Sequence, residues 1–210
     1  LLDWAIEEPE LFEHIVPIAT NAFHSPWGKA FNASQQLSIE LDPTWLQRHP
    51  QAGVEGMKVA RGLALLSYRH PETYDLYQND AHINSLGPYR SESYQVYKGE
   101  KLARRFNAFS YYRLSQSMDS HQVGRGRGSV LQALKKIQAR THVISLKSDL
   151  LFPQNEQIFL AENIPGAAFH SIHSVYGHDG FLLEYEAISA LIREFIREPD
   201  LSSRTPYSVG

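Results

Sequence analysis

No cysteine occurs in the 210 residues. That absence removes disulfides, thiolate metal sites and a cysteine nucleophile together, and it is compatible with the cytoplasm, where the protein is expected to reside. No apolar run approaches the roughly 18 residues that a bilayer-spanning helix needs, so no membrane association is expected. No lysine–arginine block dominates a face. With 20 basic against 23 acidic residues and a formal net charge of −3, a nucleic-acid-binding surface is not expected either. The ten histidines are scattered, with no His-x-x-x-His pair; His170 and His173 fall in a strand-like stretch where such positions face opposite sides. A protein-bound metal is therefore not expected. What is present, 42% apolar and 20% charged residues, is the composition of one ordinary globular domain.

The order of elements points to an α/β fold. Residues 1–8 have helical spacing, ended by Pro9, and His14 to Thr20 form a short β-branched run expected to be a buried strand. From about 29 to 137 the spacing is helical, rich in aromatics, and closed by Gly124-Arg125-Gly126-Arg127-Gly128. Strand character returns at Thr141–Leu146 and at Ala167–His173, with a helix from Gln154 to Asn163 between them and an amphipathic helix from Phe181 to Arg197 after them. Alternating strands and helices predict a parallel sheet with covered faces. The expected division is a sheet core over 1–28, a helical lid insertion over 29–137, a second core segment over 138–200, and a frayed tail over 201–210. Three strands buried on both faces leave an open sheet edge, so further N-terminal strands are expected outside the chain.

Asp149 follows one apolar strand directly and His178 follows the next, 29 residues later. Successive strand ends of a parallel sheet bring such residues to one edge, in the chain order of the last two members of a Ser–acid–His triad. The first member should be a serine in a Gly-x-Ser-x-Gly turn, and the sequence contains no such turn. It opens instead on Leu1-Leu2-Asp3-Trp4-Ala5, which reads as a helix already under way. Taken singly, the two residues have a plainer reading, as a helix-boundary aspartate and a loop histidine. The Gly–Arg run lacks the lysine and serine or threonine of a phosphate loop and does not follow a strand. Its glycines suit tight turns, and its arginines remain open to phosphate contact or simple solvation.

Several segments together resemble the homoserine O-acyltransferase family (acetyltransferase type) of the α/β-hydrolase superfamily. They are Glu92-Ser93-Tyr94, Tyr97-Lys98-Gly99-Glu100-Lys101, Arg105-Phe106-Asn107-Ala108, Val123 to Gly128, Ser148-Asp149 with Phe152-Pro153, and Tyr176-Gly177-His178-Asp179-Gly180-Phe181. Ala19-Thr20-Asn21-Ala22, Ser25-Pro26-Trp27, and Ala60-Arg61 with Ser67-Tyr68 also fit. The resemblance covers nearly the whole chain. It implies the C-terminal part of an α/β-hydrolase fold with a helical lid insertion. It also implies acetyl transfer from acetyl-CoA, a co-substrate and not a resident cofactor, to the hydroxyl of L-homoserine by a ping-pong route in methionine biosynthesis.

Carried over by position, the resemblance makes Asp149 and His178 the triad acid and base, with the serine outside this chain. It makes Arg61, Tyr68 and Asp179 the acceptor-binding residues, Arg61 for the homoserine carboxylate and Asp179 for its ammonium. Arg61 and Tyr68 stand seven positions apart, two helical turns, so they share a face; without the resemblance they read as a solvated arginine and a packed tyrosine. Adjacent to His178, Asp179 should face the acceptor pocket opposite Arg61. The aromatics Tyr94, Tyr97, Phe106, Phe109, Tyr111 and Tyr112 exceed what one side of a small lid buries, and a homodimer through the lid is expected. A serine hydrolase of the same fold, and a fragment inactive as given, are the alternatives.

Overall fold

The computed structural model describes residues 1–47, 49–81, 86–87 and 89–197. Residues 198–200 and the segment 201–210, read above as a frayed tail, lie outside the described residues. Helix α1 (Leu2–Glu7) leads to strand β1 (His14–Ile15), and α2 (Pro26–Glu40), α3 (Val54–Tyr68), α4 (Pro71–Tyr77), α5 (Arg90–Ala103) and α6 (Ala108–Asp119) follow. Helix α7 (Val130–Leu134), strand β2 (Arg140–Leu146), helix α8 (Gln154–Asn163) and strand β3 (Ala168–Ile172) return the chain to the sheet. A 3-10 turn (Gly177–Asp179), α9 (Gly180–Leu183) and α10 (Tyr185–Arg197) complete it.

The three strands pair in parallel in the order β1-β2-β3, with Ile144 opposite His170 and His14 opposite Arg140. β2 is the middle strand, and from Thr141 onward every one of its residues is buried. Its β-branched run therefore needs apolar partners on both faces. On one face Val143 packs with Leu2, Ala5 and Ile6 of α1, Leu134 of α7 and Leu160 of α8. On the other, Ile144 and Leu146 meet Ile172, Ile188 and Ala19. Each of the Val, Leu and Ile side chains among them contributes about 1.5–3 kcal/mol on leaving water. Helix α7 and Ile137 thus pack with the sheet core.

Two elements differ from their expected extent. The expected strand from His14 to Thr20 is regular for two residues only, because Pro17 offers no N–H to a ladder. The chain still runs beside β2: Ile144 N donates to the Pro17 carbonyl at 2.9 Å and Ala19 N donates to the Ile144 carbonyl at 3.0 Å. The expected helix from Phe181 to Arg197 is broken at Glu184 (φ −85°, ψ 40°) into α9 and α10. Helical spacing continues through the break, so nothing in the pattern marks it.

The lid has its own core of Ile39, Met57, Ala60, Leu102 and Ala108, with Trp45 and Phe106 packed against it. α2 and α3 cross closely at Gly56, where a Cβ would stand 2.4 Å from the Ser38 carbonyl oxygen. Only glycine permits that approach. The crossing fixes the direction of α3, whose C-terminal end reaches the sheet edge.

Candidate active site

Strand β2 ends at Leu146, and the turn after it closes with Asp149 N donating to the Leu146 carbonyl at 3.1 Å. Asp149 then uses both carboxylate oxygens. Oδ1 accepts the backbone N–H groups of Leu151 and Phe152, each at 2.8 Å, and Oδ2 lies 2.8 Å from His178 Nδ1. The Asp149 side chain is 0% exposed and that of His178 14%. Two fixed donors on one oxygen leave the other aimed at the imidazole. A carboxylate accepts only, so Nδ1 carries a proton, and in the neutral imidazole Nε2 is the nitrogen that has the lone pair. No described residue is hydrogen-bonded to Nε2. Ring contacts from Tyr68 (5.8 Å between centroids), Phe152 (5.3 Å) and Phe181 (5.1 Å) hold the imidazole plane.

The histidine turn is pinned from the lid and from the sheet. Gly177 has φ +65°, and a Cβ there would stand 2.7 Å from His70 N at the end of α3. Thr73 Oγ1 of α4 donates to the Val175 carbonyl. Ser148 Oγ donates to the Ser174 carbonyl at 2.5 Å, which ties the acid turn to the strand end before the histidine. Trp27 of α2, whose neighbourhood was singled out without a role, donates its indole N–H to the Leu150 carbonyl at 2.6 Å, directly after the acid.

Arg61 and Tyr68 share one face of α3, the guanidinium 5.3 Å from the Tyr68 ring centroid. Burial pushes the Tyr68 phenol up from its ordinary acidity; Arg61 opposes that and Asp179 adds to it. The structure therefore brings together all five residues selected from the sequence. Asp179 departs from expectation in its partner. It pairs with Arg69, Nε to Oδ2 at 2.8 Å, both side chains about one-fifth exposed, and does not stand unpaired opposite Arg61. Sequence reasoning passed over Arg69, whose one signal was its place next to Tyr68 where α3 runs out. Charge complementarity explains the pairing, since the turn that places Asp179 also packs on the Arg69–His70 backbone.

The Gly–Arg run has a structural role. Arg127 pairs with Asp3 (2.6 Å) and Glu7 (2.5 Å) of α1 and donates to the Val123 carbonyl at 2.6 Å, so it is a clasp between the loop and α1. Among the described residues no group of three or more His, Cys, Asp or Glu side chains is placed to hold a metal ion. No helix among them is long and apolar enough to cross a membrane.

No family model matches the chain. Homoserine O-acetyltransferase of Cyclobacterium marinum is 40% identical over 197 residues, 94% of this chain and 56% of that protein. The solved homoserine O-acetyltransferase of Bacillus anthracis superposes with a TM-score of 0.83 at 18% identity, covering 93% of this chain and 56% of its own. Esterase E22 superposes with a TM-score of 0.82 at 18% identity, covering 93% and 57%. The fold is the α/β-hydrolase fold, and the resemblance to homoserine O-acetyltransferases extends along nearly the whole chain. The chain spans about half the length of the curated relatives it matches.

Proposed function

We propose that this chain supplies the acid and base of a Ser–His–Asp acyltransferase that moves an acetyl group from acetyl-CoA to the hydroxyl of L-homoserine, with the serine outside the 210 residues. The Asp149–His178 pair at 2.8 Å carries the reading, and the relatives' names support the transfer and the acceptor. As the serine oxygen attacks the thioester carbonyl, His178 Nε2 takes its proton. Collapse of the tetrahedral intermediate breaks the C–S bond, and Nε2 returns the proton to the CoA sulfur. Nε2 next takes the proton of the homoserine hydroxyl, whose oxygen attacks the acyl-serine. Breakage of the serine ester returns that proton to the serine. Asp149 holds the tautomer and stabilises the imidazolium.

Arg61 binds the homoserine carboxylate, Tyr68 lines the pocket between the two catalytic elements, and Asp179 binds the ammonium, exchanging part of its pairing with Arg69 for the substrate. The enzyme works in the cytoplasm, in methionine biosynthesis, as a homodimer through the lid. The exposed apolar face of Val59, Leu66, Val96 and Tyr97 on α3 and α5 is the surface offered for pairing.

A hydrolase reading has specific support in the fold matches to esterases, E22 among them. A triad alone does not choose between water and an alcohol. CoA release from acetyl-CoA by the full-length protein, measured with and without L-homoserine, separates the two. Release that depends on homoserine, with O-acetylhomoserine formed in equal amount, is expected. Release unaffected by homoserine would establish the hydrolase.

A further inference from the structure

Behind the histidine turn lies a second feature, a cavity of about 410 Å³ between the α3–α4 junction, α5 and the turn itself. Arg69, Tyr74, Tyr94, Lys98 and Tyr176 line it. Its volume falls within the range of small-ligand sites, and its charge is one-sided. Lys98 is half-buried on α5, sits 5.2 Å from the Tyr94 ring centroid, and forms no ion pair among the described residues. Arg69 Nε stands 2.8 Å from Asp179 in an ion pair, and this buried nitrogen completes no hydrogen bond among the described residues. The neighbouring lysines are differently placed: Lys58 is held by Glu55 at 2.7 Å and Glu100 at 2.8 Å, and Lys101 is exposed, 6.0 Å from the Tyr97 ring centroid.

Burial holds the Lys98 ammonium below its ordinary range, and Arg69, Lys101 and Arg61 add to that by repulsion. The acids acting on groups of this cavity are Asp179, already paired with Arg69, and Glu184, beside Tyr176. Desolvated cations in excess of acids are costly unless an anion joins them. The tyrosine rings add hydroxyl groups to the lining.

We propose that this cavity is a subsite for an anionic group, a phosphate or a carboxylate, at the end of the ligand remote from the reacting carbonyl, with Lys98 as its anchor and Arg69 as its second cation. That the group belongs to the acyl donor rests on the transferase reading; that the cavity takes an anion does not. Because Arg69 is shared, an occupant of the subsite also bears on the Asp179 carboxylate, one residue from His178.

Site-resolved amine labelling of the full-length protein tests this without turnover. Brief reaction with a lysine-selective acylating reagent is followed by peptide mass spectrometry, with inorganic pyrophosphate or succinate as the added anion at constant ionic strength. Either anion, or both, should slow labelling of Lys98 severalfold while Lys58 and Lys101 are unchanged. Protection by pyrophosphate alone assigns the site to a phosphate, and by succinate alone to a carboxylate. Equal rates at Lys98 with and without both anions, or equal slowing at all three lysines, would overturn the proposal.

In turnover, Lys98→Gln should raise KM for the CoA thioester by roughly tenfold to a hundredfold, the loss of one charge-assisted bond. It should leave kcat and the hydrolysis of p-nitrophenyl acetate, which lacks an anionic end, within about twofold. Lys98→Arg should restore most of the KM. A protein that protects Lys98 yet fails to acetylate homoserine keeps the subsite and loses the transferase reading.

Discussion

Replacing Asp149 with asparagine isolates the one property that the proposed mechanism needs from it. Oδ1 accepts two buried backbone N–H groups and Oδ2 faces His178 Nδ1. An asparagine in the same rotamer must put its carbonyl oxygen where Oδ1 stands, since an NH₂ there would meet two donors head on. Its NH₂ then points at Nδ1, which must accept, and the imidazole proton moves to Nε2. The base is lost with the geometry intact. Loss of the correct tautomer lowers kcat by about 10⁴-fold, on the order of 5 kcal/mol of barrier.

Asp149→Ala separates this from folding. It leaves the N–H groups of Leu151 and Phe152 buried without an acceptor, at about 1–3 kcal/mol each, whereas the asparagine still accepts both. Single-turnover acylation by acetyl-CoA and denaturant unfolding of the full-length protein measure the two effects. The expected result is an asparagine variant near wild type in stability and about 10⁴-fold slower, with an alanine variant both slow and less stable. An asparagine variant within tenfold of wild-type rate, or as destabilised as the alanine, would refute the tautomer argument.

Gly177→Ala combines φ +65° with a Cβ 2.7 Å from His70 N, so it should shift the histidine turn. Unfolding should show a loss of at least about 1–2 kcal/mol, together with a large fall in kcat. Asp179→Asn should spare formation of the acyl-enzyme and slow its transfer to homoserine; rapid-quench measurement of each half-reaction checks this, and equal loss in both would remove the ammonium-anchor role. His24 is buried, and burial holds its pKa below the ordinary 6.5 although Asp119 opposes it. The folded state therefore binds fewer protons than the unfolded one just below pH 6.5, and stability should fall as the pH drops through that region. Urea unfolding at pH 7 and pH 5 should show a shallower loss in His24→Gln than in wild type.

Asp149 and His178 were legible as a candidate pair because a parallel sheet delivers successive strand ends to one edge, and the family resemblance then gave them the roles of acid and base. Arg61 and Tyr68 were singled out by the family resemblance alone; their two-turn spacing placed them on one face of α3 but gave them no role. The partner of Asp179 was not, because Arg69 arrives from the lid and the pairing spans the two parts of the fold. The short regular extent of β1 had its sign in Pro17, while the break at Glu184 had none, since apolar positions keep helical spacing across it. Arg127 read as a loop cation open to phosphate, and its carboxylate partners on α1 stand more than a hundred residues away in sequence.

The most direct measurement is acetyl transfer from acetyl-CoA to L-homoserine by the full-length protein and its His178→Ala variant, followed as O-acetylhomoserine formed. Removal of the base should lower kcat/KM by about 10³-fold or more with the fold unchanged by circular dichroism. Transfer by the folded variant within about tenfold of wild type would contradict the account, because no proton acceptor would then be needed where Asp149 holds the imidazole.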